Sequence, residues 1–339
     1  MDEPLIRARA LTKTFRRPDK GPGLAGSARH LITRKYTEHH AIDGIDLDVA
    51  AGEAVAYVGR NGAGKSTTVK LLTGILVPSS GEVRVAGVVP HQDRIANARN
   101  IGVVFGQRTQ LWWDLPVRET FTLLRDMYRI PPERYRATLA RLTEVLDLGP
   151  LLPVTGRKLS LGQRMRADLA AALLHEPPIV YLDEPTIGLD IEVKDRVREF
   201  LRDLVANGTT VLLTTHDLGD IEDVCRRIVI VDGGRIIHDG PLAAVRDELA
   251  RERSMHVQPA VPVDLAAIRA ALPGTEVSGE PGEFSIRFDR FAYSAGQVAA
   301  AVMGLAEIRD FRIDEPGIED VVRRVYEGGL VESPTGAPA

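Results

Sequence analysis

Apolar and polar residues alternate where the chain opens, in LIRARALTKTF (5–15), and that period of two predicts a half-buried strand. The pattern stops over 16–40, where Pro18, Gly21, Pro22, Gly23 and Gly26 predict an irregular insertion. Strand character resumes over 41–58 (AIDGIDLDVAAGEAVAYV), a helix is predicted from Lys65 to Leu72, and short strands continue to Val104. Val117, Phe121, Leu124 and Tyr128 recur at helical spacing, and Pro131-Pro132 divides 117–148 into two helices. A further helix covers 161–174. IVYLD (179–183) and TTVLLTT (209–215) are short apolar or β-branched runs on either side of a helical stretch, 191–206. That rhythm predicts an α/β fold with buried parallel strands and crossover helices.

The texture changes after Gly240. Strands at 255–259, 274–279, 284–288 and 307–314 and helices at 264–272 and 294–305 give the order β-α-β-β-α-β, which suggests a small ferredoxin-like domain over 241–330. A last helix, 316–327, leads to a tail with the composition of disorder (331–339, ending ESPTGAPA). No long internal repeat is visible.

Composition narrows the class. The 339 residues are 44% hydrophobic and 27% charged, with a net charge of −4, so no global charge signature for nucleic acid or a membrane exists. The opening MDEP is acidic and lacks an apolar run, which argues against a signal peptide, and no stretch has the length of apolar residues that a bilayer requires. The single cysteine, Cys225, excludes an internal disulfide and reads as a plain buried thiol, which fits a reducing cytoplasm. His39-His40 reads as a solvated pair, since no third metal ligand accompanies it.

Residues 59–66, GRNGAGKS, match G-x-x-x-x-G-K-[ST] and lie between an apolar strand and a helix. Glycines let backbone N–H groups curl around phosphate oxygens, and the helix N-terminus favours an anion. Lys65 is placed to reach the β- and γ-phosphates and the Ser66 hydroxyl to ligate Mg²⁺. IVYLDE (179–184) is a buried strand ending in two acids. Asp183 suits a Mg²⁺ ligand, direct or through water, and Glu184 a group that polarises an attacking water.

Residues 159–166, LSLGQRMR, join the phosphate loop, the acidic strand end and TTHD (214–217). Together they make residues 5–240 resemble the nucleotide-binding subunit of an ABC transporter. The resemblance implies a P-loop cassette of mixed sheet and helical subdomain (106–175), the whole cassette spanning 1–240, and a head-to-tail dimer that sandwiches two ATP molecules. Carried over by residue, Gly59, Asn61, Gly62, Ala63, Gly64, Lys65, Ser66 and Thr67 hold phosphates and Mg²⁺. Gln107 senses Mg²⁺ and water and links the site to a membrane permease subunit. Ser160, Gly162 and Gln163 act on the opposite subunit's ATP. Gly188, Leu189 and Asp190 line the dimer seam, and His216 contacts the γ-phosphate and holds Glu184. Leu161 stands where glycine is commoner in this family; Ser160 and Gln163 also form an S-x-x-Q capping box for the helix they open.

An aromatic that stacks on adenine is expected before the second strand. Its spacing matches Tyr36, with Phe15 as the alternative, and either ring offers a π-face. The basic stretch 16–35 (Arg16, Arg17, Lys20, Arg29, Arg34 and Lys35 against Asp19) has two readings. It is a solvated loop, or Leu24, Ala28, Leu31 and Ile32 make an amphipathic helix against the inner leaflet or a permease.

Of the classes of ABC protein, ribosome-acting types usually carry two cassettes in one chain, and repair types carry coiled coils or cysteine-rich modules; this chain has neither feature. A transporter ATPase is expected, with no nucleic-acid partner. The C-terminal piece, QRTQLWWDLP and QRMR look most like a bacterial exporter-type subgroup, with an importer ATPase carrying a regulatory C-terminal domain as the alternative. Both tryptophans, Trp112 and Trp113, lie just after Gln107. One is expected to pack inward against 117–128 and the other to meet a permease. Asp114-Leu115-Pro116 is expected to start the following helix.

Overall fold

The computed structural model describes residues 3–18, 36–106, 108–215, 217–249 and 252–314. The chain divides into two compact units, Met1–Asp239 and Gly240–Ala339. Gln107, His216, the 19–35 stretch with its amphipathic alternative, the 316–327 helix and the 331–339 tail lie outside the described residues.

The first unit has two sheets. An antiparallel sheet runs β2 (Tyr36–Val49), β1 (Ile6–Pro18), β4 (Ser80–Val85). A six-stranded sheet has the order β5 (Ile101–Phe105), β6 (Ile179–Asp183), β7 (Thr210–Thr214), β3 (Ala54–Gly59), β8 (Arg227–Asp232), β9 (Arg235–Pro241). Strands β5, β6, β7, β3 and β8 run parallel. Ile6, Leu47, Val83, Tyr57, Tyr181 and Val229 belong to one apolar core, so the two sheets and α1 (Lys65–Leu72) bury one another. Parallel strands buried on both faces read as continuous apolar runs, which is why IVYLD was legible.

The expected insertion at 16–40 begins and ends as strand. Arg16 pairs with Glu38 and Pro18 with Tyr36, so β1 and β2 continue outward as a ladder, and Arg16 Nε lies 3.0 Å from Glu38 Oε1. Residues 36–40 are all exposed, so neither face of that ladder presents an apolar stripe, and no period of two marked it.

The helical part of this unit comprises α2 (Arg94–Asn100), α3 (Val117–Tyr128), α4 (Pro132–Val145), α5 (Leu161–Leu173), α6 (Ile191–Ala206) and α7 (Leu218–Val224). Pro132 opens α4, where its missing N–H costs nothing, whereas Pro116 sits one residue before α3 rather than in its first turn. Cys225 follows α7, fully buried, and burial pushes its thiol up to about 12, as a plain core thiol requires. His39 and His40 are exposed, and among the described residues no three histidines, cysteines or acids gather as a metal site. No helix of the described residues is long and apolar enough to cross a membrane.

The second unit begins in the last residues of β9. Helix α8 (Leu242–Leu249) leads to β10 (Glu252–Pro259), α9 (Leu265–Ala271), β11 (Glu276–Glu280), β12 (Glu283–Asp289), α10 (Ala295–Leu305) and β13 (Ile308–Asp314). Its antiparallel sheet has the order β11-β12-β10-β13. Met255, Val257, Phe284, Ile286 and Phe288 form its core with Ile268 of α9 and Val298 and Val302 of α10.

A cavity of about 270 Å³ opens between β5 and the helical part, lined by Thr73, Phe105, Arg108, Tyr128, Asp168 and His175 among others. Asp168, on the otherwise apolar face of α5, is 5% exposed. Burial pushes its carboxyl up to about 6, against hydrogen bonds from Gln110 N–H (2.9 Å) and Thr109 Oγ1 (3.0 Å). His175 stacks on Tyr128 at 3.9 Å, its Nε2 lies 3.0 Å from the Ile101 carbonyl, and burial pulls it down to about 4. The two shifts act oppositely on stability. Folded Asp168 binds its proton more tightly than the unfolded chain does, so its contribution falls as pH rises from about 4 to about 6. Folded His175 binds its proton less tightly, so its contribution rises from about 4 to 6.5. Asp168→Asn is therefore expected to gain stability relative to the parent as pH rises from 4 to 6, read from denaturant midpoints at several pH values; a constant difference across that range contradicts the assignment.

Candidate functional site

Parallel register sets the site. Asp183, the last residue of β6, pairs with Phe105 on one side and Thr214 on the other, so the carboxyl ends of β5, β6 and β7 finish level. Open α/β sheets hold ligands at that edge. The loop Arg60–Gly64 leaves the end of β3 at the same edge and enters α1.

Gly64 precedes α1 with φ 109°, a left-handed conformation, and a Cβ there would lie 2.7 Å from the Ala41 carbonyl oxygen. Only glycine satisfies both demands. Asn61, Gly62 and Ser66 are exposed and Thr67 half-buried, so the loop's outer surface is open, whereas Ala63 is buried beneath it. Thr68, in the next turn, is buried, with Oγ1 3.0 Å from the Tyr57 hydroxyl and 3.2 Å from the Gly64 carbonyl. Those bonds pin the first turn of α1 to β3.

Lys65 folds back over the loop. Its Nζ donates to the carbonyls of Gly59 (2.5 Å) and Arg60 (3.1 Å). Burial lowers its amine below the usual lysine range, and the charges of Asp183 and Glu184 oppose that shift, which places both carboxylates within electrostatic reach of the ammonium.

Asp183 is oriented by Thr214, whose Oγ1 donates to Asp183 Oδ1. Glu184 has φ 54°, a left-handed backbone that side chains avoid and that costs on the order of 1–3 kcal/mol. Its N–H donates to Thr214 O at 2.8 Å, and Thr215 Oγ1 lies 3.5 Å from Glu184 Oε2. Gly106 passes so close that a Cβ there would meet the Asp183 carbonyl at 2.9 Å and Glu184 Cβ at 3.2 Å. The segment entering Gln107 thus runs against the acidic pair.

The capping box expected at Ser160 is present: Gln163 N–H donates to Ser160 Oγ (3.3 Å) and Ser160 N–H to Gln163 Oε1 (3.0 Å). Ser160 keeps a hydroxyl proton and Gln163 its amide NH₂ as further donors. Leu161 is 50% exposed and rests on Gly188, where a Cβ would approach Leu161 Cδ2 to 2.7 Å; Gly162 likewise lies against the Gly188 carbonyl. The bulk of Leu161 is accommodated within the chain by the missing side chain opposite. Asp190, expected at the ATP seam, commits Oδ1 to the N-cap of α6, accepting from Val193 N–H at 3.0 Å.

Phe15 is half-buried, with Lys13 Nζ 5.3 Å from its ring centre, while Tyr36 is 53% exposed at the start of β2. Neither tryptophan packs inward: Trp112 is 40% and Trp113 51% exposed. They sit on a loop whose inward position is taken by Leu111, 5% exposed. That loop is bound to the turn before Ser160. Arg157 N–H donates to Trp113 O (2.9 Å), Gly156 N–H to Leu115 O (3.1 Å), and the Arg164 guanidinium lies 4.6 Å over the Trp113 ring.

Sequence reasoning missed the polar cluster behind Glu184. Asp220, 1% exposed, accepts from Thr186 Oγ1 and from Arg198 Nε (2.7 Å), and Asp217 accepts from Lys194 Nζ (2.8 Å) and Arg198 (3.1 Å). These partners are too far apart in sequence for spacing to pair them.

The ABC transporter family matches residues 42–187. The chain is 34% identical over 291 residues to the daunorubicin resistance ATP-binding protein DrrA3 of Streptomyces coeruleorubidus, covering 85% of this chain and 92% of that one. It is 33% identical over 296 residues to the Nod factor export ATP-binding protein I of Rhizobium meliloti, covering 87% and 86%. Among solved structures, a dimeric ATP-binding cassette in a post-hydrolysis state with ADP and Pi superposes with a TM-score of 0.59 at 26% identity, over 70% of this chain and 98% of that one. A lysine-capped phosphate loop facing two acids at one sheet edge, on a chain with these relatives, belongs to the ABC transporter family as an ATP-binding, ATP-hydrolysing cassette.

Proposed function

We propose that this chain powers export, working as one of a pair of cassettes on the cytoplasmic face of the cell membrane, beneath separate membrane-spanning permease subunits. The convergence of Lys65, Asp183 and Glu184 at one sheet edge carries the catalytic reading. Relatives named for daunorubicin resistance and Nod factor export support the direction, and a dimeric solved relative supports the pairing. A net charge of −4 offers no footprint for nucleic acid. Residues 1–240 serve as the cassette and 241–330 as an accessory ferredoxin-like domain, a reading supported by the antiparallel β11-β12-β10-β13 order.

In this reading ATP phosphates lie on the N–H groups of Gly59 through Thr67, and Lys65 exchanges its carbonyl partners for phosphate oxygens. Tyr36 takes the adenine, supported by its position at the start of the second strand, where it is 53% exposed. Ser66, Asp183 and Gln107 hold Mg²⁺. The donors would suit that ion, since a hydroxyl, a carboxylate and a side-chain amide all offer hard oxygen atoms. Bound there, Mg²⁺ supplies charge neutralisation of the phosphate chain. Glu184 takes a proton from the attacking water, and His216 contacts the γ-phosphate. Ser160, Gly162 and Gln163 present their donors and a helix N-terminus to the nucleotide of the second copy. Asp190 shapes the seam through its cap rather than by touching phosphate.

Glu184→Gln is expected to bind ATP but lose about 10²-fold or more in turnover, while Lys65→Ala loses nucleotide binding itself. Phosphate release and titration with a fluorescent nucleotide separate the two; near-normal turnover by Glu184→Gln removes it from the role. The exposed Trp113, held by Arg164, is the proposed permease anchor. Trp113→Ala is expected to abolish transport in reconstituted vesicles while the isolated subunit keeps its ATPase and its melting temperature. Loss of fold alone contradicts the anchor.

A further inference from the structure

The polar cluster behind the acidic strand end borders both flanks of Glu184. Thr186 lies two residues beyond Glu184, and Thr215 follows Thr214, the residue that receives the Glu184 N–H. One carboxylate ties the two together. Asp220 Oδ2 accepts from Thr186 Oγ1 and lies 3.4 Å from Thr215 Oγ1, while its Oδ1 accepts from Arg198 Nε at 2.7 Å. Asp220 is 1% exposed, and a carboxylate buried to that degree depends on such hydrogen-bond partners.

Thr215 is the link to the site. Its Oγ1 accepts from Asp217 N–H (3.1 Å), and its one hydroxyl proton faces two carboxylates, Glu184 Oε2 at 3.5 Å and Asp220 Oδ2 at 3.4 Å. One proton serves one acceptor at a time. Helix α6 fixes the frame around that choice, since Arg198 bonds Asp217 as well as Asp220, and Lys194 bonds Asp217. The left-handed backbone at Glu184 needs such holding, because a residue at φ 54° relaxes where its surroundings allow.

We propose that Thr215 and Asp220 are positioning residues for Glu184: Asp220 anchors Thr186 and competes with Glu184 for the Thr215 hydroxyl proton, and that hydroxyl, when it donates to Glu184, orients the carboxylate for the water. This rests on the reading of Glu184 as the base. A merely structural cluster would lower stability and act on turnover independently of Glu184. A positioning cluster acts through it.

The test uses the full chain and the variants Thr215→Val, Thr215→Ser, Glu184→Gln and the double Glu184→Gln/Thr215→Val, with ATP turnover and fluorescent-nucleotide affinity measured for each. Thr215→Val is expected to lower kcat about tenfold, the worth of one hydrogen bond to a charged group, with nucleotide affinity unchanged. Thr215→Ser is expected to restore kcat, and in the Glu184→Gln background Thr215→Val is expected to add no further loss. Thr186→Val, which removes the other hydroxyl on Asp220, should lower kcat in the same way and serves if Thr215→Val fails to fold. Parental kcat in both valine variants, or an equal fold-loss with and without Glu184, overturns the proposal. Near-normal turnover by Glu184→Gln alone instead fails the base reading on which it rests.

Discussion

The bond from Thr214 to Asp183 closes the parallel register between β6 and β7, and much of the site is arranged by that register. With the strand ends level, the acidic pair emerges beside β7 and faces the lysine at the end of β3. A slip of one residue would turn Asp183 to the other face of the sheet. The Thr214 carbonyl then receives the Glu184 N–H, and the chain leaves the strand through a left-handed residue. A strained backbone at such a place is tolerated because bonds on both sides over-determine it.

Two further couplings run from this edge into the helical part. The segment after Gln107 is tied to α5: Gln110 and Thr109 bond Asp168, and Gln110 Nε2 reaches the Asp168 carbonyl at 3.0 Å. The tryptophan loop is tied to the turn before that helix through Arg157 and Gly156, and to the helix itself through Arg164. The helix that begins at Ser160 is therefore bonded to the segment leaving the strand edge and to an exposed aromatic loop. A push on Trp113 has a bonded route to the Ser160 end of α5.

Elements with a buried stripe were legible in the sequence. Lys65–Leu72, Ile191–Ala206 and Ile179–Asp183 came out at their observed bounds because capping residues, a glycine turn or an apolar run marked each end. The phosphate loop and the acidic pair were legible because their chemistry is local in sequence. The outer ladder of β1 and β2 was not, since exposed residues on both faces leave no period. The inward packing expected of one tryptophan is not seen, because neighbours diverge in helices and strands, whereas this loop exposes both Trp112 and Trp113 and gives Leu111 the inward place. Asp168 stood as an acid in an apolar helix, a visible anomaly whose partners, Thr109 and Gln110, no spacing could supply. The Asp220 cluster joins α6, α7 and two strand ends, and only the folded chain assembles it.

The central claim is that one phosphate chain is gripped between the 59–67 loop and the Asp183–Glu184 pair. A crystal structure of the Glu184→Gln protein grown with ATP and Mg²⁺ tests it directly. The account predicts Lys65 Nζ turned from the Gly59 and Arg60 carbonyls onto phosphate oxygens, with Mg²⁺ between Ser66 and Asp183. Nucleotide bound elsewhere, or Lys65 still on its carbonyls beneath bound phosphates, would contradict it.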